Sequence, residues 1–529
     1  MFIKKVQFFI SLFILFSATV SCALLKNKDE NGVLLRQALI DQQNLKEREV
    51  YYVTKEIDLN GGSLIIPSDC KLVFTKGYVI NGCVRFNNTS LEGKVDLRCR
   101  TTGTVRNDTV KMEWFNYSNH AIADAFALSD GKTLVFGKEK QYRINYAILI
   151  PSCTVVGNNS TIILENADEN PNEISMVKIR NTHYEGKGVD SFSIKGLNFV
   201  TEIDNIFLFN MQNTENCSLK ECRFCCKGAG RKCSHVVDLR GNNTNILFDN
   251  CSFINESDAK EGGGFWIRSF NDISDVRIKN SYFYNNSTDE ILAFNATTKD
   301  IKNVVIENCE FDYHRGTMSP EPHVMWGMVQ KAGMISNIDF INCTLKSDYL
   351  MAYIINANNA NDVTVTGCRF YFDESTMNRG GLNTTAFNGS VLYENIIVEV
   401  KDVKRQEDKT SVTLFGPMAT IKNATITNDC NDVYIGGPKI YDSTIDYDNS
   451  QLFNARIPSV MINCKVRLGK GTPKLAANPY DQNEECNWQG NIIESAIPVE
   501  FHLVYKKDYI HYNNNQTKNV KINGTPLKN

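Results

Sequence analysis

Three ionisable residues stand two apart in one short stretch: Glu310, Asp312 and His314. Carboxylates and imidazoles are the groups most used for proton transfer near neutral pH. Side chains alternate along a β-strand, so this spacing puts all three on one face. Lys346, Arg369, Tyr282, Tyr284 and Tyr371 hold matching places in neighbouring copies of the same phrase. Flat tyrosine rings suit stacking on sugar faces, and cations beside acids suit a developing negative charge. The set points to a polysaccharide as ligand. A lyase would use His314 or Lys346 as base and Arg369 to stabilise an enolate. A hydrolase would use Glu310 and Asp312 as acid and base. Their Cβ atoms, at i and i+2, would stand about 6.5–7 Å apart, which selects neither stereochemical outcome. The same residues also fit a solvated sheet face with an ordinary Asp312–Lys346 salt bridge, because outward strand positions are polar by default. A non-catalytic glycan-binding or adhesive surface, and a structural solenoid whose loops bind protein, therefore stand beside the enzyme.

What must position these residues is a repeat. Asn245-Ile246-Leu247-Phe248-Asp249-Asn250-Cys251-Ser252-Phe253 is its clearest copy. Val276 to Phe283, Val305 to Phe311, Ile338 to Leu345 and Val363 to Phe370 repeat it, and Cys222-Arg223-Phe224 opens the series. Apolar and polar residues alternate within each phrase, as in a strand with one buried face. A second apolar run follows each phrase after a variable loop. One period thus supplies two or three short strands and no helix. Such a coil cannot bury its apolar face alone, but stacked coils can, with strands about 4.8 Å apart. The expected fold is an all-β parallel β-helix. Asn before the small residue suits a corner in the left-handed region, and stacked corners form an Asn ladder. The outward positions then read coil by coil as two rows. One is Arg223, Ser252, Tyr282, Glu310, Thr344, Arg369; the other is Cys225, Ile254, Tyr284, Asp312, Lys346, Tyr371. The longest insertion, Arg315 to Trp326, follows the Glu310 coil; His323 and Trp326 could wall a groove there, or the loop could simply be surface.

Earlier in the chain, Ile57 to Phe74, Gly77 to Gly82 and Asn88 to Gly93 are short alternating strands broken by Gly and Asn. Trp114-Phe115-Asn116, Asp124 to Phe136, Tyr142-Arg143-Ile144 and Val155 to Ile163 follow. With these residues the chain resembles exported right-handed parallel β-helix proteins of the pectate-lyase-like superfamily over most of residues 50–400; the last four stretches are similar to that family's turn, short helix and first coils. The resemblance implies the fold and leaves the reaction open, since that superfamily holds lyases, hydrolases, epimerases, tailspikes and adhesins.

The chain has 529 residues and a net charge of −3, which gives no case for nucleic acid or an anionic membrane surface as partner. It carries no phosphate-binding glycine loop, nucleophile elbow or paired-histidine metalloprotease helix. Residues 1–22 read as a signal peptide: Lys4 and Lys5, an apolar run from Phe8 to Phe16, then small residues ending at Cys22. That ending resembles a bacterial lipobox, with lipidation on Cys22 and a place on the outer membrane or cell surface of a Gram-negative bacterium; plain secretion is the alternative. The lipid would be the only membrane contact. Residues 23–49 read as a tether and N-terminal cap, with Val33 to Ile40 as a helix over the open end. Residues 50–468 form the β-helix, and 469–529 a C-terminal cap that could carry a hairpin.

Seventeen cysteines in an exported chain invite disulfides. Cys222, Cys251, Cys309, Cys343 and Cys368 share one repeat position, however, and are expected to stack as small buried side chains. Cys217, Cys222, Cys225, Cys226, Cys233 and His235 are dense enough to suggest zinc, but a local disulfide such as Cys226–Cys233 fits an exported chain better. Glu256, Asp258 and Glu261 could hold calcium, or line a solvated loop.

Overall fold

A computed structural model describes residues 28–29, 32–35, 45–117, 120–165, 175–179, 189–203, 205–227, 233–256, 263–286, 290–314, 326–350, 355–358, 360–373, 376–377, 390–402, 404–405, 412–416, 418–430, 433–436, 438–447, 456–457, 460–469, 478–479, 486–505, 510–511 and 514–526. The chain is an all-β parallel β-helix. It divides into two compact units, Met1–Lys138 with Leu149–Val156, and Glu139–Ile148 with Gly157–Asn529.

In the first unit the strands Val50–Val53, Lys71–Phe74 and Val79–Gly93 pair in parallel, and Val79–Gly93 also pairs with Leu97–Val105. Gly32–Leu34 is a strand added in parallel to Val50–Val53, not the start of a helix. Residues 36–40 of the expected helix lie outside the described residues. Among the described residues the α-helix of this unit is Ala121–Leu128. It is tied down by the buried Asp124, whose carboxylate accepts from the Arg100 guanidinium, the Thr101 backbone N–H and the Tyr117 hydroxyl. Three kinds of donor on one buried carboxylate satisfy what burial would otherwise leave exposed to a low dielectric.

In the second unit each central coil gives three strands. One coil is Gly263–Arg268, Ile273–Lys279 and Tyr282–Asn285; the next is Leu292–Ala296, Ile301–Glu307 and Glu310–Tyr313. Then come Trp326–Gln330, Ile335–Ile341 and Thr344–Ser347. First strands pair with first, second with second, third with third, all in parallel. The repeated phrase spans the second and third strands, and its Phe residues form the core. Phe199, Phe224, Phe253, Phe283 and Phe311 stack one above another at 5.6, 5.4, 4.8 and 4.4 Å between ring centroids. Each fully buried ring is worth about 1.5–3 kcal/mol of hydrophobic stabilisation.

The corner between second and third strands is the expected one. Asn250, Asn280, Asn308 and Asn342 all have φ of 51–54°. Their amides form a ladder: Asn280 donates to Asp249 at 3.0 Å and Asn308 to Asn280 at 3.4 Å. A second ladder stands at the entry to the second strand. Asn245 donates to Asn216, Asn303 to Asp275 and Asn337 to Asn303, at 2.7, 3.0 and 2.8 Å, again with φ near +55°. Asn and Asp tolerate this conformation because a short polar side chain can bond locally.

The cysteine column is structural. Cys251, Cys309, Cys343 and Cys368 are 0–2% exposed and carry no disulfide. Each thiol reaches a backbone carbonyl of the coil before it, as Cys251 does to Leu219 at 3.4 Å and Cys343 to Ile306 at 3.5 Å. Burial pushes the Cys222 thiol well up and that of Cys464 to about 11, away from the reactive thiolate. Stacking also runs past residue 469. Ile492–Tyr505 pairs in parallel with Lys465–Leu468, and Gln516–Pro526 in parallel with Ile492–Tyr505. Parallel pairing here replaces the hairpin.

Candidate functional site

The third strands carry the two rows at the expected register. Ser252, Tyr282, Glu310, Thr344 and Arg369 stand opposite one another in turn, and so do Ile254, Tyr284, Asp312, Lys346 and Tyr371. Phe283, Phe311, Leu345 and Phe370 alternate with them and are fully buried. Core packing on one side therefore fixes which side chains face away on the other.

The second row changes character along the helix. In the lower coils Cys225 is wholly buried with Ile163 and Val200, and Ile254 packs against them. This end of the row is an apolar cluster, not the solvent-facing stripe that alternation alone implies. From Tyr284 upward the row is polar.

At the centre is His314. Its Nε2 lies 3.0 Å from Asp312 Oδ1 and its Nδ1 3.1 Å from Asp348 Oδ2. Both partners are carboxylates, which only accept. The imidazolium, with two N–H donors, satisfies both, whereas the neutral ring turns one lone pair on a carboxylate. The Asp348 bond, with Asp312 beside it, holds the pKa of His314 above its ordinary value; partial burial acts the other way. Tyr284 packs its ring 5.4 Å from the imidazole, and the Tyr282 hydroxyl donates to Asp312 Oδ2 at 3.2 Å. Burial, then Asp312, pushes the Tyr282 phenol up to about 12, so it stays a donor.

Lys346 does not take Asp312 as partner. It reaches diagonally to Glu310 Oε1 at 2.5 Å, which raises its pKa and keeps it an ammonium. Both groups are about half exposed, so the pair adds little stability. His314 and Tyr282 each engage one oxygen of Asp312. Arg369 is exposed two coils along from Glu310, and Tyr371 is half-buried opposite Lys346 in the same row. Trp326 opens a strand opposite Leu292, so its backbone belongs to the first sheet and not to the insertion. His323, Asp258, Glu261 and Cys22 lie outside the described residues, as does the side chain of Cys233. Among the described residues no group of three or more His, Cys, Asp or Glu side chains is arranged to hold a metal ion.

Asp348 was absent from the sequence expectation. It follows the strand Thr344–Ser347, so alternation within the strand does not flag it. The signal was there: the 34-residue offset that sets Thr344 on Glu310 also sets Asp348 on His314.

A titration follows from this geometry. His314, followed by its ring proton chemical shifts, is expected to titrate above the ordinary histidine value of about 6.5. Asp348→Asn should bring it down. Because the folded value is raised, the stabilisation is full below pH of about 6.5 and is lost as pH rises through the folded pKa. A His314 that titrates at or below the ordinary value would contradict the two-carboxylate clamp.

A second cluster lies on the first sheet. Asp238 is fully buried and accepts from Arg268 Nε and Nη2, each at 2.8 Å. His235, 7% exposed, stacks between Phe207 at 5.4 Å and Trp266 at 4.3 Å. Burial, then Arg268 and Arg240, drives the pKa of His235 well down, so the ring is neutral. The repeated phrase does not reach residues 235–240, and its phase could not reveal the pairing.

No family model matches the chain, and no curated protein matches it. Among solved structures, the chain is similar to one described as "Crystal structure of Agl-KA catalytic domain", at 9% identity and a TM-score of 0.13. That match covers 92% of this chain and 64% of the other, so the chain spans less than two thirds of its length.

Proposed function

We propose that the chain is an exported, polysaccharide-directed β-helix protein of the pectate-lyase-like kind, held at the surface of a Gram-negative bacterium by a lipid on Cys22. The observation that carries the reading is the His314 imidazole between Asp312 and Asp348, beside the rings of Tyr282 and Tyr284. Tyr282 and Tyr284 on one coil, and Tyr371 three coils along, give a sugar chain flat surfaces, and His314 is the proton-transfer group. In a β-elimination one imidazole serves twice. Its neutral form, populated as pH rises through the raised pKa and with one ring nitrogen released from its carboxylate, takes the proton α to a uronate carboxylate, the C–O bond to the leaving sugar breaks, and the same proton passes to the departing oxygen. Lys346 and Arg369 offset the enolate charge. Hydrolysis fits less well, because Glu310 is neutralised by Lys346 and Asp312 is engaged by His314 and Tyr282.

The same mutual pairing favours a second reading, a glycan-binding face without catalysis. One experiment separates them. The protein is incubated with a panel of uronate-containing glycans, and unsaturated ends are followed by ultraviolet absorbance with reducing-end release in parallel. The lyase reading expects unsaturated ends, and a loss of at least about 100-fold in His314→Ala. Binding without turnover across the panel selects the second reading. Full activity in both Asp312→Ala and His314→Ala would remove this face from the chemistry.

A further inference from the structure

We propose that Arg268, Arg240 and Trp266 form a second binding site, on the first sheet, for the anionic substituent (a carboxylate or a sulfate) of an acidic sugar residue. The inference rests on the reading of the chain as glycan-directed, and not on His314.

The argument is one of donors without acceptors. Asp238 occupies Nε and Nη2 of Arg268 and so fixes the plane of the guanidinium. Nη1 is left with no acceptor among the described residues. Trp266 Nε1 is buried and has no hydrogen-bond partner. The Arg240 guanidinium lies 4.6 Å from the Phe270 ring and has no ion pair among the described residues. Native structures leave few buried donors unmet, and Trp266 Nε1 is one that calls for an explanation; the two guanidiniums reach solvent and can turn to a ligand. A purely structural ion pair would need only Asp238 and Arg268. It would not need a second arginine or an indole N–H.

Charge points the same way. Arg240 and Arg268 contribute +2 and Asp238 −1, while His235 is neutral, leaving +1. The walls are aromatic: Arg268 lies 5.3 Å from the Phe207 ring and 5.4 Å from that of Trp266, and His235 stacks between the two rings. A small bare anion would use the donors but not the rings. A sugar ring with an acidic group uses both: its C–H face lies on the aromatic wall, and its oxygens take the free N–H groups. Arg268 is 18% exposed, so the guanidinium held by the buried Asp238 is still within reach of solvent.

The test is calorimetric titration of the full chain with three probes of equal length: an oligogalacturonate, a sulfated oligosaccharide and a neutral oligosaccharide. The expected result is that one or both acidic probes bind, more weakly as salt rises, and that the neutral one does not. Which acidic probe binds assigns carboxylate or sulfate. Trp266→Phe keeps the ring and removes only the N–H; Arg240→Gln removes one cation. Each is expected to weaken binding roughly 3–10-fold with the thermal transition unchanged. Equal binding of neutral and acidic probes, or no effect of either variant, overturns the proposal. His314→Ala separates the two sites. If acidic probes still bind that variant and the unaltered chain turns over no glycan of the panel, this site stands and the lyase reading falls. If turnover depends on His314 but binding ignores Trp266 and Arg240, the reverse holds.

Discussion

Replacing Phe253 by alanine is expected to destabilise the β-helix by about 3–5 kcal/mol. The ring is 1% exposed and sits in the middle of the aromatic column. It lies parallel to Phe224 at 5.4 Å and 4.8 Å from Phe283, with Phe248 and Phe265 edge-on at 5.5 and 5.0 Å. Four aromatic neighbours from adjacent strands cannot collapse into the space without breaking register, so both the transfer and the cavity contributions are lost. Phe253→Leu fills most of the volume and should cost well under half as much. In a solenoid each coil touches only its neighbours, so the loss should appear as earlier opening around this coil rather than as a uniform shift. Urea unfolding followed by hydrogen exchange would show protection falling first at Phe224, Phe253 and Phe283. A Phe253→Ala variant within about 1 kcal/mol of the parent would mean that the column is not the core.

Two patterns make most of this legible in the sequence. Alternation named the inward Phe residues, and the Asn corner marked where each third strand begins. Together they set Tyr282 on Glu310 and Asp312 on Lys346, as the strand pairing has them. Pairing between side chains was less legible, because register gives columns and not diagonals. Lys346 stands opposite Asp312 yet bonds Glu310, while His314 and Tyr282 bond Asp312. Alternation also fails where the far face of a strand is covered, which is why Cys225 reads as outward and is wholly buried. The second Asn ladder went unseen for another reason. Asn and Asp share its corner, as Asn245, Asp275 and Asn303 show, and no small residue follows to mark it. The first sheet is the extreme case: Asp238 and Arg268 are 30 residues apart, in segments with no common phrase.

That pair yields the second large effect. Arg268→Ala alone is expected to destabilise the chain by about 3–5 kcal/mol, because it strands a fully buried carboxylate. The double variant Asp238→Leu with Arg268→Met should lie close to the parent, or above it. The reason is in the titration of Asp238. Burial pushes its pKa up even though Arg268, by hydrogen bond and charge, pulls it down. A carboxyl whose folded pKa is raised gives its full stability below the unfolded value of about 3.9, and loses it as pH rises through the folded value. Ionising Asp238 therefore costs folding stability even with Arg268 in place. A double-mutant cycle measured by denaturant unfolding should show strong coupling, with each single variant worse than the double. If the double variant were as unstable as Arg268→Ala, the pair would be a stabilising element of the fold. Its retention would then need no ligand to explain it. If the double variant folds as well as the parent, stability is not what keeps two charges buried on this sheet. The unmet N–H groups around them then mark the place where a binding partner supplies the missing acceptors.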